Sequence, residues 1–204
     1  MKGPDMPDPR EHMVEIAALI YSRFLSDSAG GNISAREGGL IYVSPRFMGS
    51  KYHYRIKPAQ ISVLDAQHNV VEGPQELSRE IRMHLAAYDH FPEVGAVIHA
   101  HPRWLMVFAV AGRTMKPVLE YTTKFGDVEC IPETQMHSQE LADRVVEVAM
   151  RRREQLQRTA MGILLPKHGV AILGRDLDNA YDTLERLENN ARCFLFSCLL
   201  GPEE

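Results

Sequence analysis

No apolar run in this 204-residue chain reaches the ~18 residues of a membrane span. The first ten residues, MKGPDMPDPR, have no apolar core of the kind a secretory signal carries. Positive charge is not in excess either: 23 Lys and Arg stand against 27 Asp and Glu, a net charge of -4. That balance gives no field for holding a polyanion, so no nucleic-acid partner is expected. The one basic stretch, MRRREQLQR, is short, is interleaved with Glu154 and Gln155, and reads as a solvated helix face. Cysteine is scarce. Cys130, Cys193 and Cys198 are an odd number at spacings that match no common zinc or redox motif, which suits a reducing compartment. Internal repeats and low-complexity segments are lacking as well. These absences together predict a cytoplasmic protein with no membrane partner.

What is present is ordinary globular material, 45% hydrophobic and 25% charged. The length suits one domain, expected over residues 10–204 behind a flexible Pro- and Asp-rich arm at 1–9. Met13, Ile16, Ala17, Ile20 and Phe24 recur at helical spacing and predict an opening helix over 10–26. The SDSAGGNIS stretch ends it, with Gly30 and Gly31 in a tight turn. LIYVSP, QISVLD and HNVVEG predict strands of an antiparallel meander, with the polar and aromatic loop RFMGSKYHYRIKP inserted. Ser78 is expected to cap a helix through REIRMHLAAYDHF, followed by the strand GAVIHAH, a short helix ending at Gly112, and a strand at CIPE. A helix from Ser138 through QELADRVVEVAMRRREQ, two strands in GILLPKHGVAILG and a long helix after Asp176 complete the chain. Strands and helices do not alternate strictly. The order therefore predicts an α/β domain of α+β character, three layers α/β/α with a central, largely antiparallel sheet.

The chemistry concentrates in AVIHAHPRW. In a strand, side chains alternate with period two, so His99 and His101 share one face while Ala100 points away. Burying two imidazoles without partners is costly, and a divalent metal compensates, since neutral imidazoles bind zinc at about 2.0–2.1 Å. Spacing alone leaves the third ligand open among His84, His90, His137 and His168. His168 sits in LLPKHGVAI, a strand-turn context like that of the pair, whereas His84 lies four residues after Glu80 on one helical face.

Read together, GGNIS, SREIRMH, AVIHAHP, YTTKFGDVECIP, LLPKHGVAILG and LENNAR resemble the class II aldolase and adducin head family over nearly the whole chain. The resemblance implies that His99, His101 and His168 hold a divalent ion, usually zinc, with manganese, cobalt or iron also suited to such ligands. It implies that Glu80 is the acid/base residue and that Gly31 and Asn32 lie beside the anionic or carbonyl end of the substrate. It further implies that Tyr121 is a proton donor reaching a neighbouring subunit's site. Cleavage beside a carbonyl leaves an enolate, whose charge a Lewis acid stabilises by several kcal/mol. Retro-aldol cleavage, decarboxylation, epimerisation and dehydration all pass through such an intermediate.

The chain departs from the family at its anion site. The expected phosphate turn is replaced by SPRFMGSKYHY, retaining Ser44 and Pro45, and the usual Ser-Ser pair reads Ser78-Arg79. Arg46, Lys51 and Arg79 offer cations for an anionic small molecule, and a guanidinium suits a carboxylate as well as a phosphate. A sugar phosphate or a hydroxy acid is the substrate expected, with a carboxylate-bearing or aromatic substrate as the rival that the inserted aromatics suggest. The metal-dependent lyase competes with a non-catalytic adducin-like assembly module, against which the intact histidines and Glu80 weigh. Phe194, Leu195, Phe196, Leu199 and Leu200 make the final helix too apolar for solvent, and with the resemblance they predict a homotetramer with sites between subunits.

Overall fold

A computed structural model describes residues 8–200, so the arm expected at 1–9 falls mostly outside the described residues. Asp8 and Pro9 already belong to the first helix. The Asp8 carboxylate accepts from Arg10 N at 3.0 Å, and Pro9 opens α1 (Pro9–Ser22) where its missing N–H costs nothing. Met13, Ile16, Ala17 and Ile20 are buried as the spacing predicted. The helix stops four residues early. Phe24 turns to φ +58, Phe24 N and Leu25 N return to Tyr21 O and Ile20 O, and Leu25 rather than Phe24 enters the core. Phe24 instead lies under the Arg103 guanidinium, 3.9 Å from its ring centroid.

Eight strands form one sheet: β1 (Asn32–Glu37), β2 (Leu40–Val43), β3 (Ser62–Leu64), β4 (Val70–Glu72), β5 (Ala96–Ala100), β6 (Glu129–Cys130), β7 (Met161–Leu165) and β8 (Gly169–Gly174). Their order is β4-β3-β2-β1-β5-β8-β7-β6, antiparallel except for the β6–β7 pair. The CIPE strand is displaced: pairing ends at Cys130. The remaining α-helices among the described residues are α2 (Ile81–His90), α3 (Leu105–Ala111), α4 (Gln139–Arg151), α5 (Arg153–Leu156) and α6 (Leu177–Ser197).

Alternation along the central strands divides the core into two layers. Ile33, Ile98, Val170 and Ile172 face α1, α3 and α6, whereas Val97, Ile163, Ala171 and Leu173 face α2 and α4. The expected three-layer α/β/α arrangement is thus present. The predicted continuous helix over 139–155 breaks at Arg152 because its guanidinium reaches back to Phe125 O at 3.1 Å and Asp127 O at 2.5 Å. Its neighbours are not simply solvated: Arg151 pairs with Glu129 and Glu147, and Arg153 with Glu93 at 2.9 Å. The cysteines are unpaired.

The LENNAR stretch of α6 has a structural role. Glu188 accepts from Trp104 N at 2.8 Å and Leu105 N at 2.9 Å, satisfying orphan donors at the start of α3. Asn190 Oδ1 accepts from Val118 N, Leu119 N and Thr122 Oγ1, while its Nδ2 donates to Lys116 O at 2.9 Å. Asn190→Ala leaves these buried groups unpaired and is expected to lower stability by about 2–3 kcal/mol. Urea unfolding should show the midpoint fall at constant m; a loss under ~0.5 kcal/mol, the ordinary surface range, would contradict the assignment.

Candidate functional site

The ends of β1, β5 and β8 meet at the centre of the sheet, where Asn32 pairs with His99 and His99 with Ala171. His99 shares its face with Val97, toward α2 and α4, and His101 emerges just beyond the strand. Ala100 is buried in the opposite layer. His168 arrives from the turn between β7 and β8. Ring centroids lie 5.0 Å apart for His99–His101, 4.6 Å for His99–His168 and 5.6 Å for His101–His168. One nitrogen from each ring falls within 4.8 Å of the others.

The outer nitrogens set the direction of the inner ones. His99 Nδ1 faces Val170 O at 3.1 Å and His101 Nδ1 faces Asp27 Oδ1 at 3.1 Å. Both contacts are to acceptors, so each Nδ1 carries a ring proton and the Nε2 atoms point inward. These two Nε2 atoms stand 3.1 Å apart. Two imidazole nitrogens held this close, with a third converging on them, form a donor set that suits a divalent ion. Burial, reinforced by the neighbouring imidazoles, holds His99 well below its ordinary 6.5, and burial brings His168 to about 4. Both are therefore neutral, as ligands must be.

Glycines let these rings sit against bare backbone. A Cβ on Gly30 would lie 2.7 Å from His101 Cε1, and one on Gly169 would lie 2.4 Å from Ala100 O and 2.9 Å from His101 Cδ2. Gly31, at φ +102, packs so closely that a Cβ would meet Tyr54 Oη at 2.1 Å. Tyr54 Oη itself donates to Gly30 O at 2.6 Å. The double-glycine turn is thus shaped around an imidazole.

A cavity of about 230 Å³ opens beside the trio, lined among others by Gly31, Asn32, Arg46, Ser78, Arg79 and Glu80. Asn32 Nδ2 donates to Ser78 Oγ at 3.2 Å, while its buried Oδ1 has no partner. Ser78 does not begin α2, which starts at Ile81; its hydroxyl accepts from Glu80 N at 3.3 Å. Arg46 pairs with Glu76 at the rim. Glu80 is 5% exposed, and neither carboxylate oxygen accepts a well-directed hydrogen bond. Its Oε1 is in ion-pair contact with His137 Nδ1 and lies 3.5 Å from His168 Nε2. Burial raises its pKa above the usual carboxylate range, against the pull of His137. An orphaned carboxylate beside three convergent imidazoles, with His168 Nδ1 also unpartnered, fits a site built for an ion and a polar ligand.

Other expected residues lie elsewhere. Ser44 stays out of the cavity, because its buried hydroxyl accepts from Ile33 N at 3.0 Å and so stabilises the β1 backbone. Tyr121 is 41% exposed, accepts from Asn189 Nδ2 at 2.6 Å and lines a separate hollow with Arg103 and Trp104. Lys51 leans over Tyr52 instead, its ammonium 5.0 Å from the ring centroid. Of the inserted loop, Phe47, Met48, Gly49 and Ser50 line the cavity, but Tyr52, His53 and Tyr54 do not, which weakens the case for an aromatic substrate. His84 is not a member of the trio: Ser34 Oγ, also bonded to Tyr88 Oη, meets its Nδ1 at 2.7 Å. His90 Nδ1 meets Ala86 O at 2.8 Å. Asp27, which orients His101, was not distinguished from a turn residue in the sequence.

The model of the Class II Aldolase and Adducin N-terminal domain matches residues 11–195. The chain belongs to this family. It is 30% identical over 196 residues to 5-deoxy-D-ribulose 1-phosphate aldolase of Bacillus thuringiensis, covering 94% of this chain and 86% of that one. It is 29% identical to 3-oxo-tetronate 4-phosphate decarboxylase of Haemophilus influenzae, covering 91% and 86%. Among solved structures, an L-fuculose 1-phosphate aldolase superposes with a TM-score of 0.82 at 25% identity, over 97% of this chain and 90% of that one. The chain is a metal-dependent lyase of the class II aldolase type.

The buried His84 generates a test in protein freed of metal by chelation. Burial lowers it from 6.5 to about 3, so below pH 6.5 the unfolded chain takes up a proton that the folded chain refuses. Stability from this group is complete above pH 6.5 and falls by about 1.4 kcal/mol per pH unit as pH drops toward 3. His84→Gln should flatten the stability–pH curve by that slope in urea melts between pH 6.5 and 4. Parallel curves would contradict a neutral buried imidazole.

Proposed function

We propose that this family member catalyses retro-aldol cleavage of a small hydroxy-carbonyl substrate with an anionic end, a sugar phosphate or a hydroxy acid, with His99, His101 and His168 holding a zinc ion. The reading is carried by the convergence of three imidazoles and one buried carboxylate without a well-directed hydrogen bond in a single cavity. A divalent ion held there supplies Lewis-acid stabilisation of negative charge developing on a carbonyl oxygen. Glu80, shielded from water and raised in pKa, is the proton acceptor and donor for the carbon or oxygen beside that carbonyl. Asn32, with an open Oδ1 and a backbone beside Gly31, orients the hydroxyl and carbonyl end. Ser78, Arg79 and Arg46 hold the anion, a role that the two guanidinium groups at the cavity fit by bidentate pairing.

A second reading is supported by the Haemophilus influenzae relative, whose name is that of a decarboxylase acting on 3-oxo-tetronate 4-phosphate. Loss of carbon dioxide beside a carbonyl calls for the same stabilisation of charge. Tyr121 is assigned as a proton donor to a neighbouring subunit's cavity, in keeping with its exposure away from its own trio. Phe196, Leu199 and Leu200, 50%, 77% and 84% exposed, support a homotetramer, and the free cysteines support a cytoplasmic setting. Residues 10–204 act as one domain in this reading.

Glu80→Gln is expected to reduce kcat by about 10²- to 10⁴-fold while the protein keeps its metal. The assay is aldehyde release from 5-deoxy-D-ribulose 1-phosphate and L-fuculose 1-phosphate, beside carbon dioxide release from 3-oxo-tetronate 4-phosphate and a panel of free hydroxy acids. Full turnover by the variant would remove Glu80 from the chemistry. Carbon dioxide release without aldehyde release would replace the first reading by the second. Light scattering should give a mass four times the 23.1 kDa chain; a 23.1 kDa particle would refute the shared site.

A further inference from the structure

The proposed chemistry employs Glu80 and leaves its nearest imidazole without a role. His137 occupies the third position of the turn 135–138, closed by Ser138 N donating to Gln135 O at 3.3 Å. Its φ is +63, in the left-handed region that such a turn position normally gives to glycine or asparagine. A non-glycine residue there stores strain, and retained strain concentrates where a side chain must be aimed. Two contacts tie the turn to the start of α2. Arg82 Nη1 donates to His137 O at 3.4 Å, and His137 Nδ1 lies in ion-pair contact with Glu80 Oε1, close but without the direction of a formed hydrogen bond. The turn also sets Ser138, whose hydroxyl accepts from Leu141 N at 3.1 Å and caps α4, so it is anchored on both sides. Of the two imidazoles beside Glu80, His168 belongs to the trio. His137 is the one that remains.

We propose that His137 is a positioning residue that carries a proton on Nδ1, donates it to Glu80 Oε1 and thereby fixes the direction of that carboxylate beside the trio. The inference rests on the reading of Glu80 as the acid/base group. A neutral ring with its proton on Nδ1 can donate, and a charged one can too, so the role exists in either charge state of His137. Glycine would satisfy the turn with less strain but could not hold the carboxylate, and a freely rotating carboxylate loses the preorganisation that proton transfer needs.

The direct test is nitrogen NMR on zinc-loaded protein carrying ¹⁵N-histidine, with the His137 ring identified by its disappearance in His137→Gly. A proton on Nδ1 in the wild type, lost in favour of Nε2 in Glu80→Ala, is expected. A proton on Nε2 alone, or an Nδ1 proton indifferent to Glu80→Ala, overturns the proposal. This readout needs no substrate. With 5-deoxy-D-ribulose 1-phosphate, His137→Gly is expected to lose roughly 10- to 100-fold in kcat with KM little changed, the range seen when an orienting partner is removed. Added imidazole should restore part of that loss. Unchanged kcat, or a loss that imidazole leaves untouched, contradicts a positioning role. Failure of the underlying reading has a different sign: Glu80→Gln would itself retain full turnover.

Discussion

The organisation of this protein depends on the closeness of two imidazole nitrogens. Strand β5 places His99 and His101 on one side of Ala100, and acceptors behind each ring force the protonated nitrogen outward. The Nε2 atoms then face each other at 3.1 Å, an arrangement suited to holding a positive charge between them. His168 closes the set from the β7–β8 turn. An antiparallel neighbour is what makes this possible, because β8 both supplies Val170 O to orient His99 and starts beside the turn that presents His168.

Much of the surrounding structure serves that convergence. Gly30 and Gly169 are bare because the imidazole and its backbone occupy the space a side chain would need, and Tyr54 fixes the double-glycine turn from behind. Farther out, Glu188 and Asn190 of α6 bind the start of α3 and the loop that carries Tyr121. Glu80 enters from the opposite layer at the start of α2, where burial, with His137 as its close contact outside the trio, leaves its carboxylate poised for a ligand's proton. Glu188 and Asn190 are thus buried with their partners, whereas Asn32 Oδ1 at the cavity is buried without one.

The layered sheet was legible because its central strands and amphipathic helices carry strong periodicity. His99 and His101 were legible because period two puts them on one face, and the family resemblance selected His168 from four histidines that spacing alone left open. Helix ends were less accessible. Phe24 fits the helical spacing, but a Schellman ending spends it on the surface, and Arg152 breaks a helix for carbonyl groups distant in sequence. Ser44 illustrates the limit of transferring a motif, since its hydroxyl is consumed by Ile33 N. The contacts of Asp27 with His101 and of His137 with Glu80 join residues 74 and 57 positions apart, and no local pattern reports them.

Metal content per chain, measured by elemental mass spectrometry on the native protein and on a folded His99→Ala/His101→Ala variant, probes the convergent histidines most directly. About one divalent ion per chain in the native protein, absent from the variant, is the expected result for a three-histidine site. Native protein that stays metal-free after incubation with zinc and with manganese would make the histidines purely structural and would remove the basis for a metal-dependent lyase.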